Sequence, residues 1–182
     1  MLVSEAAFEK LALEEQDAQW ELHCGTLRRK PDDMSWEHNY LADELDGLLR
    51  QQLDPQQFRI RINMGYVRRS SDSYYIPDVY VVPSDVVRAH RGERGLEVYR
   101  TPLPLVIEIW SPSTGGYEVN SKLPEYQKRG DLEIWRVHPY ERTLIAWRRQ
   151  PDGAYTETLY TSGVVYPSAL PGVAIDLDLL FA

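Results

Sequence analysis

The sequence holds a single cysteine, Cys24, so no disulfide can close within the chain and packing alone must hold the fold. That usage fits a reducing compartment. No apolar run approaches the roughly 20 residues that a helix needs to cross a bilayer. The first residues, MLVSEAAFEKLALEEQ, carry acids where a secretory signal has a basic segment followed by an apolar one. These absences lead us to expect a cytoplasmic protein with no membrane partner. An excess of basic charge is missing too: 20 Lys and Arg stand against 28 Asp and Glu, a net charge of −8, which weighs against nonspecific binding of nucleic acid. The four histidines show no zinc-ligand spacing. The loop SPSTGG lacks the Gly-Lys-Ser/Thr ending of a phosphate-binding P-loop.

What is present is the composition of a folded domain. The chain has 182 residues, 43% hydrophobic and 26% charged, and reads as one domain over residues 1–182. A chain of this size buries about 70% of the surface it exposes when unfolded, enough for a real core. Its charge is uneven. Residues 59–100 hold eight basic residues, all arginine, against five acids. Arginine's planar fork suits phosphate, and an ordinary solvated surface is the competing explanation.

Hydrophobic periodicity places the elements. Residues 4–18 predict a helix capped by Ser4. WELHCGTLRRK predicts two short strands about Cys24-Gly25. Ser35 caps a stronger helix in which Tyr40, Leu41, Leu45, Leu48 and Leu49 recur at helical steps, with Pro55 beyond its end. FRIRINM alternates apolar and polar residues as a half-buried strand does. A second strand covers Ile76 to Val82, with Pro77 at its start. Residues 85–100 predict a surface excursion with one helical turn. Leu103 to Trp110 is apolar except for Glu108, the pattern of a strand covered on both faces. A helix around Lys122–Arg129 stops at Gly130. LEIWRVH and TLIAWRR are strands, Tyr155–Tyr160 and Val164–Tyr166 two shorter ones, and the tail packs Val173, Ile175, Leu177, Leu180 and Phe181 onto the body. The order implies an α+β fold (α/β-like) with a central mixed sheet flanked by helices.

The chemistry sits where carboxylates interrupt apolar strands. Glu108 lies in LPLVIEIW and Asp78 in YIPDVYVV. A buried ionised carboxylate must be paired, protonated or bound to a metal. Two on neighbouring strands form the oxygen-lined pocket that Mg²⁺ prefers. A bound ion activates water and neutralises charge on a scissile phosphate, and a nearby lysine adds a point charge. The ordinary alternative is that each acid meets an arginine or a backbone amide at a strand end.

Seven short segments follow one another in order: WELHCGTLRR, His38 on the next helix, PDVYVV, VIEIWSPST, Lys122 to Tyr126, GDLEIWRVHP and LPGVAIDLDLLF. Together they make the chain resemble the Uma family of bacterial endonucleases, long catalogued as a domain of unknown function and placed in the PD-(D/E)XK nuclease superfamily. The resemblance runs from about residue 5 to the end. It implies a restriction-endonuclease-like core and a Mg- or Mn-dependent endonuclease acting on DNA. Its active site would comprise Glu21, Asp78, Glu108 and Lys122, with Asp78, Glu108 and Glu21 as metal ligands. Many superfamily members carry the lysine two residues after the second acid, where this chain has Trp110. The Uma-like pattern puts it on the following helix, at Lys122, with Tyr126 on the same face. Three positions depart from the family's pattern: Glu118 stands for Asp, Ile134 for the tyrosine before Trp135, and His138 for the Asp of "VDP".

Ser121 as N-cap would put Lys122 at the first helical position and Pro124 at the third, though the residue before a proline resists helical geometry and a start at Leu123 is the alternative. His38 either approaches the site or satisfies a core hydrogen bond. Trp135, Trp147 and Tyr155 offer base-stacking or dimer surface, with core packing the commoner use. A homodimer is expected because duplex cleavage commonly uses two related sites. Two other functions compete with the nuclease: a non-catalytic nucleic-acid-binding or dimeric interaction protein on a nuclease fold, and an enzyme acting on a small phosphorylated substrate.

Overall fold

A computed structural model of the chain describes residues 2–15, 17–31 and 34–182, with the side chains of Glu118 and Val119 also outside the description. Helix α1 (Glu5–Glu14) opens at Ser4, whose Oγ accepts from Ala7 N. Strands β1 (Trp20–His23) and β2 (Thr26–Arg29) form a hairpin. Its two-residue loop, Cys24 and Gly25, has φ of 47° and 76°. A two-residue hairpin loop of this kind needs both central residues at positive φ, which is why glycine is useful there. Helix α2 (Trp36–Gln52) starts at Ser35, whose Oγ caps His38 N. Its residues His38, Leu41, Ala42, Leu45 and Leu49 are buried, as the apolar periodicity requires.

Strands β3 (Phe58–Ile62), β4 (Tyr66–Ser70), β5 (Ser73–Tyr75) and β6 (Val79–Pro83) follow, then α3 (Ser84–Ala89), β7 (Val98–Tyr99) and β8 (Leu105–Ile109). A short turn of helix, α4 (Gly115–Tyr117), runs through a π turn at Glu118–Lys122 into α5 (Leu123–Arg129). The remainder is β9 (Glu133–His138), β10 (Thr143–Arg149), β11 (Tyr155–Tyr160), β12 (Val164–Val165), β13 (Ile175–Asp176) and α6 (Leu177–Leu180).

The strands form two principal sheets rather than one. The larger has the order β11-β10-β9-β8-β6-β3, with β8 and β9 parallel and every other pair antiparallel. The smaller has the order β2-β1-β5-β4-β7. Strands β4 and β5 were not resolved by periodicity, because Tyr66, Val67, Ser73, Tyr74 and Tyr75 are buried without alternation. The chain passes from one sheet to the other through Ile76-Pro77-Asp78. Pro77 has no N–H to give either ladder, so the extended segment breaks there.

The core divides along the larger sheet. On β8, Leu105, Ile107 and Ile109 join the α2 face, packed with Leu41, Leu45, Leu49 and the tail residues Val173, Ile175 and Leu180. Val106 joins the opposite face with Tyr126 of α5, Tyr80 and Ile134. Burial of each such side chain contributes about 1.5–3 kcal/mol. Strand side chains alternate with period two, so Glu108 shares the face of Val106 and points toward α5. A third, smaller core holds Phe8 of α1 against Leu22, Tyr66 and Tyr74. Glu21 follows the opposite parity from Leu22 and leaves that core.

Candidate active site

Glu21, Asp78, Glu108 and Lys122 come together where the two sheets meet α5, exposed by only 2%, 1%, 4% and 4%. The peptide of Ile76 is their common anchor. Its N–H donates to Glu21 Oε1 at 2.8 Å. Its carbonyl accepts from Lys122 Nζ at 3.2 Å and from Lys30 Nζ at 2.8 Å. Lys122 Nζ also lies 2.9 Å from Glu108 Oε1 and 3.0 Å from Glu21 Oε1, so one ammonium bridges acids from different sheets. The π turn before α5 delivers it. Lys122 is the N-cap residue, Pro124 lies within the first turn, and Ser121 does not cap the helix, so α5 begins at Leu123, the alternative start. Proline is harmless there because first-turn amides lack intrahelical partners.

Asp78 is held on both oxygens. Lys30 Nζ donates to Oδ1 at 3.0 Å, and Ile109 N donates to Oδ2 at 2.8 Å. His38 Nε2 sits 3.0 Å from Oδ2, off the line of a straight N–H···O bond. Burial alone would raise the Asp78 pKa, but the Lys30 charge, then His38 and Lys122, hold its carboxyl far below the usual range. Glu108 goes the other way. Burial pushes it up to about 7, aided by Asp78 and opposed by Lys122, Lys30 and the Tyr126 hydrogen bond. The Tyr126 hydroxyl donates to Glu108 Oε1, and Glu108 Oε2 is buried with no hydrogen-bond partner among the described residues. Lys122 stays charged: burial lowers its pKa, yet Glu108, Glu21 and Asp78 raise it well above the ordinary value.

The acids and lysines line a cavity of about 10 Å³, room for roughly one water. Arg28, whose guanidinium lies 3.7 Å over the Tyr117 ring, and Arg29 stand at the same cavity. Three roomier hollows of about 310, 330 and 340 Å³ include none of these acids. Among the described residues no three His, Cys, Asp or Glu are grouped to hold a metal ion. Glu21 Oε1 meets Lys122 Nζ and the Ile76 N–H.

Several expectations meet the geometry differently. Lys30 was missed: a long cationic side chain at a strand end carries no periodic signature and reads as solvated. His38 is fully buried at Asp78. Trp110, where many superfamily members carry lysine, stacks on His138 at 4.3 Å between ring centroids. Trp135 and Trp147 are buried in the two cores, and Tyr155 donates to Asp131 O, so these rings are structural. Three of the eight arginines of 59–100 are engaged in ion pairs with part-buried guanidinium groups. Arg61 pairs with Glu97, Arg68 with Glu5 and Arg69 with Glu125. The Glu118 departure lies outside the described side chains. No helix among the described residues is long and apolar enough to cross a membrane.

A family model described as "Uma2: Putative restriction endonuclease" matches residues 6–179. The chain belongs to the Uma2 family. One solved structure similar to this Uma2 chain is described as a putative nuclease belonging to DUF820 from Anabaena variabilis. The likeness has a TM-score of 0.79 and covers 98% of this chain and 97% of that one. At 21% identity it establishes the fold: this Uma2 chain is an α+β protein with mixed sheets flanked by helices. No curated protein matches the chain.

Proposed function

We propose that the chain is a metal-dependent endonuclease that hydrolyses DNA phosphodiester bonds, with Mg²⁺ or Mn²⁺ held by Asp78 and Glu108. The observation that carries this reading is Glu108 Oε2, a buried carboxylate oxygen without a hydrogen-bond partner among the described residues. An uncompensated buried oxygen of this kind is costly unless something binds it. The donor set suits a small hard cation, since Mg²⁺ takes one or two protein carboxylates and completes its shell with water and phosphate. Such an ion supplies an activated water and charge neutralisation at the phosphate.

The chain's own residues divide the remaining work. Tyr126 occupies Glu108 Oε1 and leaves Oε2 open. Ile109 N holds Asp78 Oδ2, with His38 Nε2 3.0 Å away. Lys122 is the point charge that receives the phosphate or orients the attacking water, and Glu21 positions Lys122. Family membership supports a nucleic-acid substrate. A homodimer would supply two sites for the two strands of a duplex. Trp36, Tyr140 and Leu179, exposed by 92%, 56% and 69%, supply apolar surface for one. A monomer mass by light scattering at micromolar concentrations counts against the dimer.

The test is a Mg²⁺ and Mn²⁺ titration by calorimetry, paired with plasmid cleavage, on wild type and an Asp78→Ala/Glu108→Ala double variant. Wild type binds metal and cuts, and the variant does neither. Equal metal binding by both overturns the assignment. DNA binding without cleavage at any metal concentration favours the non-catalytic reading.

A further inference from the structure

We propose that Lys30 is a tethered cation that holds the metal position on Asp78 and thereby sets the metal affinity of the site. The inference rests on the metal reading above and adds a residue to it. Lys30 follows β2, is 6% exposed, and spends two of its three N–H donors on Asp78 Oδ1 and the Ile76 carbonyl. A carboxylate oxygen and a main-chain carbonyl are the ligands a hard divalent cation takes. The ammonium therefore sits on an oxygen pair that an ion would use.

Charge makes the same point independently. Among the groups in direct ion-pair contact, Glu21, Asp78 and Glu108 face Lys30 and Lys122, leaving one formal negative charge, and Arg28 and Arg29 at the same cavity add positive charge. A divalent ion added beside both would leave the cluster positive, in a cavity with room for about one water. With Lys30 withdrawn, one positive charge fewer opposes the ion. Both ammonium groups already share the Ile76 carbonyl, so a third cation nearby meets repulsion from each. Lys122 is tied to two carboxylates and Lys30 to one, so Lys30 is the one that yields. Its flexible four-carbon stem lets the head group leave while the backbone stays.

The experiment is calorimetric titration of Mn²⁺ into full-length wild type, Lys30→Met and Lys30→Gln at one ionic strength. Both variants remove the charge with different side-chain chemistry, and both should bind Mn²⁺ at least about tenfold more tightly than wild type. A lysine with a merely structural role would loosen the site, so affinity that is unchanged or weaker in both overturns the proposal. If wild type binds Mn²⁺ and the variants match it, only the role of Lys30 falls. If wild type and variants all fail to bind, the metal reading falls with it. Should a variant be unstable without metal, thermal melts in Mn²⁺ decide: a larger metal-induced rise in Tm than in wild type supports the proposal, and no rise overturns it.

Discussion

The Tyr126 hydroxyl donates to Glu108 Oε1, and this bond decides which oxygen of Glu108 is left without a partner among the described residues. Tyr126 is fully buried one helical turn after Lys122, so the helix that brings the lysine also brings the donor that orients its carboxylate. Tyr126→Phe keeps the ring and removes the donor. Hydrogen bonds to charged groups contribute about 1.5–3 kcal/mol, so we expect a loss of stability of that order with the fold retained. The Glu108 pKa should rise further, because this bond lowers it. Denaturant melts and a carboxylate titration by NMR check both effects. A titration midpoint no higher than in wild type contradicts the role given to the bond.

The two acids should respond oppositely to pH and to neutralisation. Glu108 has its folded pKa raised from 4.5 to about 7. Its contribution to stability is therefore present below about pH 4.5 and lost as pH rises through about 7. Asp78 is depressed below its ordinary 3.8, so its contribution is present above that value and lost only as pH falls toward the folded pKa. In metal-free protein at pH 8, Glu108→Gln should raise Tm, by roughly 2–4 °C for each kcal/mol gained. Asp78→Asn should lower stability by about 3–5 kcal/mol, because Lys30 is left as a buried unpaired charge. Calorimetric melts from pH 4 to 9 would decide. A fall in Tm for Glu108→Gln at pH 8 would refute the sign assigned to that residue.

Lys122 separates binding from chemistry. Lys122→Met leaves the proposed ligands in place, so Mn²⁺ affinity should be retained or increased while plasmid cleavage falls by about 10²–10³-fold. The variant also frees Glu21 of its bridge, and circular dichroism controls for folding. Cleavage at the wild-type rate would remove this lysine from the mechanism.

Gly115 is required for a steric reason. A Cβ placed there would lie 1.9 Å from Trp110 Nε1, far inside van der Waals contact. Trp110 in turn stacks on His138. Gly115→Ala should therefore displace the indole or the turn that leads to Lys122, at a cost of about 1–3 kcal/mol and with reduced cleavage. Trp110→Ala in the same background should restore part of the stability. Additive losses in the double variant would count against this clash.

The sequence by itself determined many of the local elements, though not β4 and β5. Strong periodicity located α2 and β3, the apolar run interrupted only by Glu108 located β8, and Gly130 ended α5 at a φ of 82°. Glu108 and Asp78 stood out because a charged group in an apolar strand demands a partner, whatever the fold. What only the tertiary structure decided is who the partners are. The split into two sheets at Pro77 put Glu21 beside Lys122, and α2 swung His38 onto Asp78. Lys30 reached the same aspartate across 48 residues of chain. Such contacts are non-local, and a lysine's long stem fits a buried site or a wet surface equally well. No pattern along the chain tells the two apart, and only the packing around Ile76 does.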